Sequence, residues 1–246
     1  MALVLRRGLL AGLAAGLVSG VYLLFVGEPV IDQAIRLEAA ASGGAGAVEL
    51  LSRGTQKLGL VGATSLYGVA VGGVFALVYQ LLEARMAPGT GWDRAVRLAA
   101  AGFGTLFLVP FLHYPANPPG VGDASTAATR TRLYLAAVAA SLLISVAAWL
   151  AARRLAELGV ERWRRQLAVG AGYLVAVGLA YAVLPEVPQR VAVPAELLWK
   201  ARLASASGQA LLWAVMGAAF GALAMRAERR AAGAAAAPAR AGARPG

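Results

Sequence analysis

The chain of 246 residues is 59% hydrophobic and 14% charged, with a mean hydropathy of +0.67 and 23 basic against 12 acidic side chains. An average soluble domain carries about 25% charged residues, so this is an integral membrane protein, and the absence of cysteine excludes disulfides, thiolate metal sites and cysteine nucleophiles. No zinc finger or aromatic RNA-binding pattern accompanies the net charge of +11, which reads as membrane topology and contact with anionic lipid, not as nucleic-acid binding.

Six runs without acidic or basic side chains follow one another: Leu9 to Val26, Leu58 to Leu82, Leu98 to Leu112, Leu133 to Ala151, Leu167 to Leu184 and Leu203 to Met225. A bilayer core takes about 20 residues, which the third run reaches only if its neighbours extend it. The fold class expected is all-α, a polytopic membrane bundle of about six transmembrane helices with proline-rich outer loops and short interfacial helices. Arg6 and Arg7 precede a run rich in small residues, as in a signal peptide. The run nevertheless continues through Tyr22-Leu23-Leu24-Phe25-Val26 without an A-x-A site, past the roughly 7 to 15 residues of a signal h-region, and is read as an uncleaved first helix. The amino end, the second and fourth polar segments and the tail hold 15 of the Lys and Arg residues, and the remaining loops hold 8, which predicts that both termini face the cytoplasm.

Gly8, Gly12, Gly16 and Gly20 recur at four-residue spacing in the first helix, and Gly68 and Gly72 in the second. Small residues on one face let helix backbones approach closely, so tight packing inside one subunit is expected. Between these helices, Gly27-Glu28-Pro29 ends one helix and opens another, proline being favoured in a first helical turn. Pro29 to Ala41 reads as an amphipathic interfacial helix with Ile31, Ile35 and Leu37 toward apolar surroundings and an Asp32–Arg36 pair outside. Glu28 is either a helix-end acid stabilised by the dipole or a cation ligand. Glu49, with Arg53, Gln56 and Lys57, reads as part of a solvated face. A short echo links Tyr67-Gly68-Val69 and Phe75 to Trp213-Ala214-Val215 and Phe220, a faint hint of an internal repeat.

After the third run, Val109 to Asp123 carries prolines, Asn117, two glycines and the sole histidine, and is read as a rigid shaped loop at the water interface or lining a polar cavity. His113 is an interfacial side chain beside Tyr114 or a metal ligand, since imidazole suits cobalt, nickel and zinc; carboxylates, Asn or backbone oxygens would have to complete the site. Asp123, before Ser125 and Thr126, reads first as a cap for the next helix, with Arg130 and Arg132 closing salt bridges over the loop. The third outer loop, Leu184 to Gln189, again sets proline beside a carboxylate, Glu186. A second amphipathic helix is expected from Pro194, with Glu196 and Lys200 four apart and Trp199 as an interfacial anchor. Residues 1–226 thus form a transmembrane helical domain and 227–246 a disordered, basic Ala/Gly/Pro/Arg-rich tail that touches anionic lipid.

Seven of the twelve carboxylates, Glu28, Asp32, Glu38, Glu49, Asp123, Glu186 and Glu196, fall on the predicted outer side with the histidine, an arrangement suited to an incoming cation. The candidate metal contacts are Glu28, Asp32, His113, Asn117, Asp123 and Glu186. No P-loop, H-E-x-x-H or G-x-S-x-G motif is present, so the chain is not expected to be an enzyme.

Three segments carry a family resemblance: G-E-P-V-I-D-Q-A-I at Gly27 to Ile35, V-P-F-L-H-Y-P-A-N-P-P-G-V-G-D at Val109 to Asp123 followed by T-x-x-T-R-T-R-x-Y, and P-A-E-L-L-W-K-A-R-L-A-S at Pro194 to Ser205. They resemble the CbtA family, predicted cobalt transporter subunits A, from the first helix to about Met225. The resemblance implies a multi-pass bacterial inner-membrane protein that takes up cobalt for cobalamin synthesis, with no cofactor beyond the transported cation. It also implies a partner, a small one-helix CbtB-type subunit with a histidine-rich end. Members of the family often carry lysine where this chain has His113, which shifts the weight toward Glu28, Asp32 and Asn117. The expected function is therefore a membrane subunit for uptake of a divalent metal, with cobalt the metal the resemblance implies; the alternative is a non-transporting membrane scaffold or assembly subunit.

Overall fold

The computed structural model describes residues 1–41, 52–119, 121–187 and 193–241, and among these the regular elements are all helical. In order they are α1 (Ala2–Val26), α2 (Glu28–Ala41), α3 (Arg53–Leu82), a 3-10 turn (Glu83–Arg85), α4 (Gly91–Gly102), a π-helical segment (Phe103–Leu108), α5 (Val109–His113), a 3-10 turn (Ala124–Thr126), α6 (Ala127–Glu157), α7 (Arg162–Val183) and α8 (Ala195–Ala241). Among the described residues six helices are long and apolar enough to cross a membrane, as the six uncharged runs predict. The marginal third becomes long enough because α4, the π segment and α5 continue one another as a span of 23 residues, Gly91–His113.

The chain divides into two compact units. The first comprises Met1–Pro29, Val48–Ala101 and Ser207–Gly246, the second Val30–Ala47 and Gly102–Ala206.

In the first unit the buried face of α1 is made of small residues alone: Gly8, Ala11, Gly12, Ala15, Gly16, Ser19 and Gly20. Leucines and valines occupy the other face, where Leu10, Leu17 and Val21 are exposed. The helix is thus patterned by size, because lipid solvates large apolar side chains as well as a core does and only close backbone approach distinguishes the inside. A Cβ on Gly12 would land against the carbonyl of Gly68, one on Gly8 against that of Gly72, and one on Gly16 against that of Thr64. The seam expected from the glycine spacing therefore joins α1 to α3 within one chain. Further along α3, Phe75 and Tyr79 meet Phe220 of α8, with ring centroids 5.1 and 4.8 Å apart. Gly217 and Gly221 of α8 ride over Ala99 and Trp92 of α4. One cation ties the ends of these helices: the Arg94 guanidinium donates to Glu228 at 2.7 Å, the Gly89 carbonyl at 2.7 Å, the Tyr79 hydroxyl at 3.2 Å and Glu83 at 3.4 Å. Glu228 lies beyond Met225, where α8 runs on through the change of composition.

In the second unit α2 buries Ala34 against Val121, Val193 and Leu197, with Val30 and Leu198 packed beside them. The amphipathic reading of α2 stands, but its buried stripe is Val30 and Ala34, flanked by Ile31 and Ile35, and Leu37 faces outward. The separate interfacial helix expected at Pro194 is instead the first turns of α8, continuous with the last span. Its Glu196–Lys200 pair forms at 2.6 Å and Trp199 is exposed. Val109 to Asp123 also needs correction: α5 takes Val109 to His113, and the loop begins at Tyr114. Pro110 is accommodated because the preceding turn is π-helical, the Val109 N–H reaching back to the Gly104 carbonyl, so the missing donor falls where the register changes. On α6 the buried residues are Ala137 and Ser141, and α7 buries none, which leaves long apolar faces of the kind a bilayer solvates.

Candidate functional site

Backbone geometry places Glu28 first. α1 stops at Val26, the Gly27 N–H still bonds the Leu23 carbonyl at 2.8 Å, and Glu28 opens α2. An acid is favoured there by the helix dipole, and Pro29 forfeits only an N–H that has no intrahelical partner. Among the described residues Glu28 is the buried charged side chain; the other buried polar groups, Ser19, Thr105 and Ser141, are hydroxyls. Its Oε2 accepts from the Arg53 guanidinium at 2.7 Å, in an ion pair whose carboxylate side chain is 7% exposed and whose arginine is 27% exposed. Arg53 also donates to Gln56 Oε1. It sits in the first turn of α3, whose N-cap Ser52 Oγ accepts the Thr55 N–H at 3.2 Å.

The sequence reading placed Arg53 on a solvated face and so missed its role. The missed signal is electrostatic: a cation in the first turn of a helix opposes the dipole and needs a specific carboxylate to hold it there. Glu49, assigned to the same face, lies outside the described residues. Asp32, one turn further along α2 than Glu28, is not a free carboxylate.

The remaining candidates belong to the second unit. His113 stacks on Tyr181 with centroids 4.6 Å apart and an interplanar angle of 18°, and meets the Tyr114 ring edge-on at 4.4 Å. Its Nε2 is buried without a hydrogen-bond partner. The tyrosines beside it tie helix ends together: Tyr181 donates to the Val109 carbonyl, and Tyr114 donates to the Pro185 carbonyl at 2.7 Å. Desolvation, then the nearby charge of Glu186, pushes the Tyr114 phenol above its ordinary range. The side-chain oxygen of Asn117 faces the Arg202 guanidinium at 3.4 Å. Asp123 Oδ1 accepts both the Ser125 hydroxyl and the Ser125 N–H at 2.8 Å, the cap expected of it. Those two bonds, with Arg130 nearby, hold its carboxyl below the usual range. Arg130 reaches the loop through the Asp123 carbonyl at 3.2 Å, and Arg132 turns to Thr129, so these two close the corner by hydrogen bonds where salt bridges were expected.

Among the described residues no three His, Asp or Glu side chains gather as a resident metal would require. The structure therefore offers a buried, counter-charged carboxylate in one unit and a capped, aromatic-lined loop in the other. Such a chemistry can bind and release ions.

A family model described as probable cobalt transporter subunit matches residues 1–225. No curated protein and no solved structure matches the chain. With nearly the whole apolar chain inside that match and six helices able to cross a membrane, this multi-pass protein belongs to the CbtA family of probable cobalt transporter subunits.

Proposed function

We propose that the chain is the membrane-spanning subunit of a divalent-metal uptake system, cobalt being the cargo and cobalamin synthesis its use, with Glu28, at the outer end of the first span, as the first contact of the ion. The observation that carries this reading is the burial of Glu28 just beyond the end of the first span, because a buried ionisable group is costly unless it is paired or serves the path of an ion. Arg53 neutralises the carboxylate while no metal is bound, and an arriving cation takes its place. Asp32, His113, Asn117, Asp123 and Glu186 contribute, in this reading, by drawing the ion toward the outer mouth. The chain lies in the bacterial inner membrane with both termini in the cytoplasm. A one-helix CbtB-type partner with a histidine-rich end makes the first capture, which suits a chain with one histidine. Residues 1–226 form the transport domain, and the tail beyond it meets anionic lipid through Arg229 and Arg230.

One observation favours the scaffold reading: Glu28 already has a full ionic partner at 2.7 Å, as a purely structural pair would. Cobalt accumulation by cells carrying the chain and its partner separates the two. Glu28→Gln should cut uptake at limiting cobalt to the background of cells lacking the chain, with assembly intact. Wild-type accumulation by that variant would leave the scaffold reading in possession.

A further inference from the structure

Elsewhere in the molecule cations are answered within the chain: Arg53 meets Glu28, Arg94 meets Glu228, and Arg97 donates to the Asp93, Ala87 and Pro88 carbonyls. The stretch from Arg153 to Arg165 differs. It carries five arginines against two carboxylates, so even with the pairs Arg154–Glu157 and Arg164–Glu161, each at 3.2 Å, three positive charges remain in excess. The helix ends do not account for them, because the last turn of α6 favours a cation but Arg162, Arg164 and Arg165 oppose the dipole in the first turn of α7. The connection between the two helices is fixed: Gly159, at φ +73°, carries the chain out of α6, and the Val160 N–H closes on the Leu155 carbonyl at 3.0 Å. On α6 the arginines end an apolar stripe. Leu143, Val146 and Leu150 are exposed at three- and four-residue spacing, Arg153, Arg154 and Glu157 continue the same face, and the residues α6 buries, Ala137 and Ser141, lie on the opposite one. An open cleft of about 420 Å³ is lined by Leu150, Ala151, Arg153, Arg154 and Glu157, and the Arg153 guanidinium is held over the Trp149 ring, 5.1 Å from its centroid.

We infer that this face of α6 binds an anionic phospholipid of the bilayer, with the phosphate in the cleft at Arg153 and Arg154 and an acyl chain along Leu150, Val146 and Leu143. Charge selects the occupant. Guanidinium groups take phosphate oxygens through paired N–H donors, and the exposed Arg154–Glu157 contact that such a headgroup would displace is worth little in water. The arginines at the start of α7 add to the attraction for an anion, whereas a zwitterionic headgroup brings its own cation into the same field. Depth fits as well: at 1.5 Å per residue Leu143 lies about 16 Å from Arg154, and half a hydrocarbon core is about 15 Å. A free phosphate has no chain to hold it at that level. The bound lipid pins the α6–α7 connection to the headgroup layer, where Trp149 and Trp163 also belong. Nothing in this site depends on the transported ion or on Glu28.

The full chain, purified in a neutral detergent, should melt at a higher temperature as phosphatidylglycerol is added, with a response that saturates, and should not respond to phosphatidylcholine or to inorganic phosphate. Arg153→Gln combined with Arg154→Gln should leave the melting temperature without lipid unchanged, since both side chains are exposed, and should raise the half-saturating lipid concentration about tenfold or more through the loss of charge-assisted contacts. Arg229→Gln combined with Arg230→Gln removes the same charge from the tail and should leave that concentration as in the wild type. Native mass spectrometry repeats the comparison without melting: the wild type should retain an anionic phospholipid that the Arg153→Gln, Arg154→Gln variant loses. An equal response to phosphatidylcholine or inorganic phosphate, or no response to phosphatidylglycerol, would overturn the inference. Equal weakening in the two double variants would overturn it too, by placing the effect in overall charge, as would wild-type lipid retention by the Arg153→Gln, Arg154→Gln variant.

Discussion

A carboxylate shut inside a bundle persists only while some positive charge answers it, and at Glu28 that charge is Arg53. Removing the arginine leaves the more deeply buried partner exposed to the full desolvation penalty. Arg53→Ala should therefore destabilise the protein by about 3 kcal/mol, read as a drop in melting temperature in detergent. If Glu28 takes up the cation in place of the guanidinium, cobalt should raise the melting temperature of Arg53→Ala more than that of the wild type; an equal response in both would detach Glu28 from the metal. Asp123 works differently, being an exposed cap whose carboxyl is held below its ordinary value by the Ser125 hydroxyl and amide and by Arg130. A depressed carboxyl stabilises the fold above its unfolded value, about 3.9, and loses that contribution as the pH falls through its lowered one. Ser125→Ala should melt below the wild type at neutral pH, and the gap should begin to narrow as the pH falls to about 4 and close below the lowered folded value. A gap that stayed constant with pH would place the effect elsewhere.

At the scale of helices, the α1–α3 seam is fixed by what cannot be added to it. A methyl on Gly12 meets the Gly68 carbonyl and the Gly72 Cα, both backbone, so neither can swing aside. Gly12→Ala should cost about 1 to 3 kcal/mol of stability, as overpacked sites do. Gly170→Ala, on α7 with nothing within 4 Å, should be neutral or stabilise by up to about 1 kcal/mol through helix propensity; comparable losses at both positions would mean the seam is not tight. This seam was legible in the sequence because four-residue glycine spacing has a single geometric use in a membrane helix. The six spans were legible because charge cannot enter lipid cheaply. The helical course of Val109 to His113 was not, because proline ordinarily interrupts α-helix and nothing local announces a π turn before it. Nor was the continuity of α8, where Pro194, Glu196 and Lys200 make an interfacial start that a long helix uses equally well. The Glu28–Arg53 pair joins residues 25 positions apart with α2 between them, a separation that carries no trace of which carboxylate the arginine will meet. His113 drew attention by being alone in the composition, yet its ring packs between two tyrosines, and rarity in a sequence says nothing about what surrounds a side chain.

Across the whole molecule the charge alternates along the chain from one connection to the next. The segments between successive spans alternate between nearly balanced charge, with 8 basic and 7 acidic residues, and strong excess, with 15 basic against 5 acidic. A bundle inserted by the positive-inside rule keeps the second set in the cytoplasm, held by about 1 kcal/mol for each Lys or Arg near an anionic surface. Arg153 and Arg154 in the last turns of α6 and Arg162, Arg164 and Arg165 in the first turn of α7 flank the short connection between them, so by the positive-inside rule this connection is the one expected on the cytoplasmic side. The opposite end of α6 carries only Arg130 and Arg132, both engaged locally. The predicted topology is therefore testable at one helix. Leu158→Cys, 72% exposed at the α6–α7 turn, should resist an impermeant thiol reagent in intact cells and react after lysis, while Ala116→Cys should react before lysis. The reverse order would invert the bundle, put Glu28 on the cytoplasmic side, and turn the proposed entry of the ion into its exit.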